Sequence, residues 1–368
     1  MKQRKSRTLE SLIQKLQQTE PMEKSVVVMP DFFLDRIVTY PKDLQELMRN
    51  MARIVDQKGG SIDEIQQMEL RGGNAVNTAF ALAKLGVKVH PIICTNKLGY
   101  SLLKFYFDRL DIDLSHIKIR KELSITTAIE LQERDGKVNI MLRDLGSLAN
   151  FGPGDLAPED FQLLEKADCI CVFNWAGTKI YGTQLVEKIF SRVKTNGCGK
   201  TYLDTADPSP NREKIPELLR RVLEKDLVDV FSLNENEALH YASFFDRKKV
   251  AKLKEQLKLD TAAKESAKIL AAHLETRIDL HTTSFAASIT KKKETLVPAF
   301  NVDVRQATGA GDAWNAGNIY ADLQGFSVEA RLTLANAVAA YYISSPIAAH
   351  PTISELIGFL LSQKLQKP

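Results

Sequence analysis

A chain of 368 residues, 44% hydrophobic and 26% charged, has the balance of an ordinary soluble protein with a large core. A net charge of +4 is weak for this length and does not argue for nucleic acid. No apolar run approaches a membrane span. The four cysteines, Cys94, Cys169, Cys171 and Cys198, include no CxxC pair of the kind that binds zinc. Reduced thiols in a cytoplasmic protein are the expectation.

Residues 1–24 form a basic extension. Leu9, Leu12, Ile13 and Leu16 fall at helical spacing, which predicts a helix packed on the body behind a frayed basic tail. Glu10, Glu20 and Glu23 count against a targeting peptide. Residues 25–29 (Ser-Val-Val-Val-Met) read as a buried strand, and 36–40 as a short one. Asp35 follows the first strand, where open α/β sheets bind ligands. It is a candidate for sugar hydroxyls; a turn residue is the plain alternative. At 42–58, Leu44, Leu47, Met48, Met51, Ile54 and Val55 make one helical stripe, suited to core or to a homodimer contact. Gly59-Gly60 ends it, and 61–70 is a weaker strand.

Arg71-Gly72-Gly73-Asn74-Ala75-Val76-Asn77 opens a helix with adjacent glycines, which allow a ligand close to the backbone. Asn77 offers a donor and an acceptor, as hydroxyl recognition requires. Strands follow at 87–94, 169–174, 201–204, 227–233, 278–282 and 285–290, with a hairpin at 126–142 turning at Asp135-Gly136. Helices are expected at 104–110, 184–193 and, lysine-rich, 248–275. The alternation argues for a largely parallel sheet with helices on both faces.

Thr308-Gly309-Ala310-Gly311-Asp312 then precedes a helical pattern through Ala316, Ile319, Tyr320 and Leu323. Glycines at a helix N-terminus expose backbone N–H groups where the helix dipole is positive, an anion hole suited to phosphate. Asp312 on its rim is placed to take a proton from an alcohol as a phosphoryl group arrives. The plain alternative is an aspartate that caps the helix.

These motifs, in this order, resemble those of the ribokinase, or PfkB, family of carbohydrate kinases. Gly72-Gly73 with Asn77 resembles the amino-terminal motif, Asn234 with Glu237 the N-x-x-E motif, and Thr308–Asp312 with Ala313, Asn315, Ala316 and Gly317 the carboxyl-terminal motif. The likeness spans about residues 25–360. It implies a ribokinase-like three-layer αβα sandwich with a mostly parallel central sheet, from residue 25 to 368, and a small lid at about 36–70. It implies Asp312 as general base, and Gly309, Ala310 and Gly311 as anion hole. Asp35, Gly72, Gly73 and Asn77 would bind a sugar or nucleoside acceptor. Asn234 and Glu237 would hold Mg²⁺ through water, with ATP as donor and ADP as the alternative.

The departures from the family pattern are Arg71 in place of proline, Gln306 in place of aspartate, and a stretch at 281–287 without its usual glycines. Arg71 could recognise a phosphate or carboxylate, or lie outside the pocket. The altered stretch motivates a second class, a non-catalytic metabolite sensor. Phe32, Phe33 and Trp314 are candidates to stack on a nucleoside base, or are core. A dinucleotide oxidoreductase is argued against by the missing third glycine.

Overall fold

The computed structural model describes residues 2–18, 23–133 and 136–365. Asp135 of the expected hairpin turn lies outside them.

In chain order, α1 (Lys2–Gln18) leads into β1 (Ser25–Met29) and β2 (Phe33–Tyr40); α2 (Leu44–Asp56), β3 (Gln66–Gly72), α3 (Asn74–Lys84) and β4 (Lys88–Pro91) follow. Next come β5 (Cys94–Thr95), α4 (Lys97–Tyr106), β6 (Lys118–Ile119), β7 (Ser124–Glu133) and β8 (Gly136–Asp144). The middle of the chain holds α5 (Pro158–Lys166), β9 (Cys169–Val172), α6 (Gly182–Asn196), β10 (Lys200–Asp204), α7 (Ile215–Arg221) and β11 (Val230–Leu233). Then come α8 (Glu235–Ala242), α9 (Arg247–Gln256), α10 (Leu259–His273), β12 (Arg277–His281), β13 (Phe285–Ile289) and β14 (Glu294–Pro298). The chain closes with α11 (Ala310–Leu323), α12 (Val328–Ser344) and α13 (Ile353–Leu365).

The central sheet has eight strands in the order β14-β13-β12-β11-β10-β9-β1-β4. All pairings from β4 to β12 are parallel, and β13 and β14 add an antiparallel edge. Alternate residues of a strand face opposite layers. Val27 and Met29 thus join one core with Leu185, Leu218 and Leu270, while Val26 and Val28 join the other with Val76, Ile319 and Leu334. Cys169 and Cys171 share the second face, their sulfurs 3.6 Å apart. The result is the three-layer sandwich expected from the alternation. Leu12 and Leu16 of α1 are buried in the second core. The basic residues expected as a frayed tail belong to this helix.

A second sheet of four strands, β3-β2-β7-β8, stands apart from the first. It includes the 36–70 segment but also needs the β7–β8 hairpin. Asp35, expected near a turn, lies inside β2, paired with Leu70 of β3 and Thr126 of β7. Asp43 caps α2 by accepting from Glu46 N at 2.8 Å. Of the α2 stripe only Leu47 is buried, against Tyr40 and Leu131; Met48, Met51 and Val55 stay exposed.

Several boundaries moved for local reasons. The helix expected from 104 begins at Lys97, because Asn96 Oδ1 accepts from Gly99 N at 2.9 Å and caps it. The 248–275 helix breaks in two at Leu257-Lys258. Strand β14 was not anticipated.

Candidate active site

The C-terminal ends of β1, β9, β10, β11 and β12 open on a cavity of about 540 Å³, which the lid sheet overhangs. That is where a parallel sheet of this kind places its ligands. Asp35, Gly73, Asn77, Asn234, Glu237, Gly309, Gly311 and Asp312 all line it. The three motifs, spread over some two-thirds of the chain, meet in one place.

Asp312 lies in the first turn of α11, 5% exposed. Its Oδ1 accepts from Asn74 Nδ2 at 2.8 Å and its Oδ2 from Asn77 Nδ2 at 3.0 Å. Burial pushes its pKa well above the ordinary carboxylate value. The two amides oppose that shift, and the charges of Asp204 and Asp31 reinforce it. A carboxylate so placed is a stronger base than a solvated one.

The turn before α11 is built on a positive φ of 85° at Gly309. A Cβ there would also come within 2.5 Å of Tyr342 Oη. Tyr342 holds the turn by donating to Thr308 O at 3.0 Å while accepting from Gln306 Nε2 at 2.7 Å. Gln306 is thus a brace of this loop. Ala310 does not line the cavity, and its N–H is tied to Ala307 O at 3.1 Å. The N–H groups of Gly309, Gly311 and Asp312 have no partner among the described residues. These are the orphan donors of a helix start, available to an anion. The unpartnered amides of this turn are therefore those of Gly309, Gly311 and Asp312, with Ala310 a link in the turn.

Gly72 does not line the cavity either. A Cβ on it would lie 2.2 Å from Asp35 Oδ2, so its bare backbone makes the seat for Asp35. Burial raises the Asp35 pKa to about 6, against the Thr126 hydrogen bond and the charge of Arg143. Gly73, at φ 97°, closes tightly on Asp31 O and Phe32 Cα.

Asn234 and Glu237 form a reciprocal cap on α8. Glu237 accepts from Asn234 N at 2.9 Å and from Asn234 Nδ2 at 2.8 Å, and Asn234 Oδ1 accepts from Glu237 N at 3.0 Å. Asn234 therefore orients Glu237. Burial, then the charge of Asp204, holds Glu237 well above the usual carboxylate range. Asp207 and Glu235 add to it. Among the described residues no three acidic, histidine or cysteine side chains come close enough to enclose a metal ion, so this acidic rim would meet a divalent cation only through water.

Sequence reasoning missed Asp31, Asn174, Thr126 and Arg143. Asp31, fully buried, caps α3 by accepting from Asn74 N (2.8 Å) and Ala75 N (2.9 Å), and also from Asn174 Nδ2 (2.9 Å). A carboxylate directly after β1 was the visible signal. Asn174, in left-handed conformation at φ 48°, has no such signal. Thr126 and Arg143 reach the cavity only through lid pairing. Asp204 anchors α11 by accepting from Asn315 Nδ2 at 2.7 Å. Asn315 Oδ1 in turn accepts from Tyr202 Oη and Ser232 Oγ, each at 2.7 Å.

Alternatives left open by the sequence are decided here. Arg71 does not line the cavity; it donates to Asn77 Oδ1 at 3.2 Å and lies 3.8 Å from the Phe80 ring centre. Phe32 packs against Tyr106 in the core, and Trp314 is buried with its Nε1 on Asn336 Oδ1 at 2.9 Å. Only Phe33 of the three aromatics reaches the cavity. The glycine-poor stretch places His281 there too, its Cε1 3.4 Å from where a Gly311 Cβ would lie. Burial lowers its pKa to about 4, so the ring is neutral near pH 7.

The chain also has relatives in sequence and in fold. The model of the pfkB family carbohydrate kinases covers residues 44–355. The chain belongs to that family and is a carbohydrate kinase. The 5-dehydro-2-deoxygluconokinase of Geobacillus thermodenitrificans is 24% identical over 311 residues, 81% of this chain and 86% of that one. Among solved structures, Arabidopsis thaliana ribokinase complexed with ribose and ATP superposes with a TM-score of 0.67 at 19% identity, over 92% of this kinase and 99% of that chain. Adenosine kinase from Sinorhizobium meliloti gives 0.65 at 16%, over 94% and 100%. These likenesses are of fold. No helix among the described residues is long and apolar enough to cross a membrane.

Proposed function

We propose that this kinase moves the terminal phosphoryl group of ATP to a hydroxyl of a sugar or sugar-like acceptor. The observation that carries the reading is Asp312, buried at the N-terminus of α11 and next to unpartnered amides. The acceptor hydroxyl lies against Asp312, held by Asp35 and Asn77. Its oxygen attacks the terminal phosphorus as its proton passes to the Asp312 carboxylate, and the bond to the ADP oxygen breaks. The amides of Gly309, Gly311 and Asp312 stabilise the negative charge on the transferring group. Glu237, oriented by Asn234 and assisted by Asp204 and Asp207, would hold Mg²⁺. The ion supplies charge neutralisation at the phosphates.

The test is nucleotide turnover with ATP or ADP across sugars, sugar acids, sugar phosphates and nucleosides, with Asp312→Ala alongside. Acceptor-dependent turnover should fall by roughly 10²–10⁴ in the variant. Undiminished turnover there would overturn the mechanism.

A nucleoside acceptor is the second reading, motivated by Phe33 in the cavity. Calorimetry with adenosine against ribose separates the two. We also place the kinase in the cytoplasm as a homodimer, paired through the exposed Met48, Met51 and Val55 of α2. A monomer in sedimentation would dismiss the pairing.

A further inference from the structure

Arg143 is the one arginine or lysine among the described residues that line the cavity, facing six carboxylates: Asp31, Asp35, Asp204, Asp207, Glu237 and Asp312. Register puts it there. Asp35 of β2 pairs with Thr126 of β7, and Thr126 pairs with Arg143 of β8. The three therefore form one row on one face of the lid sheet, and all three line the cavity. The guanidinium lies 5.3 Å from the Phe33 ring centre and forms no ion pair with a described residue.

A neutral polyol needs no cation here. Asp35, Thr126 and Asn77 already offer donors and acceptors for hydroxyls. The nucleotide phosphates belong at the other side of the cavity, at the base of α11. Six acidic groups repel an anionic acceptor unless a cation receives it. A planar, unpaired guanidinium at the lid is the group that binds carboxylate or phosphate oxygens in pairs. Arg143 as a mere partner for Asp35 is the weaker account, because the two are too far apart for an ion pair.

We propose that the acceptor carries an anionic group, a carboxylate or a phosphate monoester, which Arg143 binds while the reacting hydroxyl lies at Asp312. This inference rests on the kinase reading of the cavity.

The test uses acceptors matched in carbon skeleton: a neutral sugar, its sugar acid and its phosphate ester. Each is assayed with wild type, Arg143→Leu, Arg143→Lys and Arg36→Leu. Arg36 pairs with Glu69 on the opposite face of the same sheet and controls for damage to the lid. Wild type should prefer one charged acceptor, and whether acid or ester wins identifies the group. Arg143→Leu should raise KM for it roughly tenfold or more, with Arg143→Lys recovering part of the loss. The neutral sugar and the Arg36→Leu enzyme should be unaffected. Equal use of neutral and charged acceptors, or a uniform loss in Arg143→Leu, would overturn the inference and leave the kinase reading standing. If no acceptor supports turnover that depends on Asp312, the kinase reading itself fails. Calorimetry then decides on Arg143: charged ligands binding wild type but not Arg143→Leu support its role, and no such difference refutes it.

Discussion

Arg71 Nε donates to Asn77 Oδ1 at 3.2 Å, and this fixes which end of the Asn77 amide meets Asp312. A guanidinium can only donate, so it claims the amide oxygen and leaves Nδ2 for the carboxylate at 3.0 Å. Arg71 is a positioning residue acting through Asn77. Arg71→Met should lower kcat by roughly tenfold, the lower end of what misplacing a positioning group costs. Lysine should rescue it incompletely, lacking the planar fork. In a double-mutant cycle with Asn77→Ala the losses should be clearly less than additive. Full additivity would show that Arg71 acts elsewhere, for instance only by packing on Phe80.

The pH profile should report the two amides on Asp312. As a base Asp312 works only when ionised, so the rate falls as pH drops through its raised pKa. Asn74 donates to Oδ1 and favours the charged form. Asn74→Ala should therefore raise the pKa and move the acidic limb of the kcat profile to higher pH. An unmoved limb would separate that limb from Asp312.

Stability and activity should diverge at the same residue. The folded pKa of Asp312 is raised above the unfolded value, so holding it ionised penalises the fold at neutral pH. The penalty is absent at low pH, where both states are protonated, and grows as pH rises through the folded pKa. Asp312→Asn should thus have a higher Tm than wild type at pH 8, with a smaller advantage at pH 5, and almost no turnover. Thermal melts across that range check it; a gap independent of pH would contradict the cause.

The hydrophobic pattern made the layers legible, because β-branched runs such as Val26-Val27-Val28 and the alternation of Cys169 and Cys171 are local signals. The motif residues were legible because three motifs occur in the family's order, where any one alone would be common. What was not legible depends on pairing between distant segments. Arg143 reaches the cavity only because β7 joins β2, a register that no local pattern announces. Gly72 read as a ligand contact, yet the space beside it is filled by Asp35 from another strand. For Arg71 the sequence left open whether it meets an anion or lies outside the pocket, and pairing with Phe80 and Asn77 decides for the second.

The Asn234–Glu237 cap makes separate demands on its two members. Asn234 satisfies the first turn of α8, so Asn234→Ala should lower stability by about 1 kcal/mol, as lost caps do. Glu237 carries the charge. With its pKa raised by burial and by Asp204, it loses that charge as pH falls, and the Mg²⁺ concentration for half-maximal rate should climb in step. Glu237→Gln keeps one acceptor for the cap but no charge. It should need roughly 10–100 times more Mg²⁺ at pH 7.5, as loss of an outer ligand partner does, with much of kcat restored at saturation. Its Mg²⁺ requirement should also cease to follow pH in that range. Titration of rate against Mg²⁺ at several pH values measures both, and an unchanged requirement in Glu237→Gln would leave this carboxylate as a cap alone.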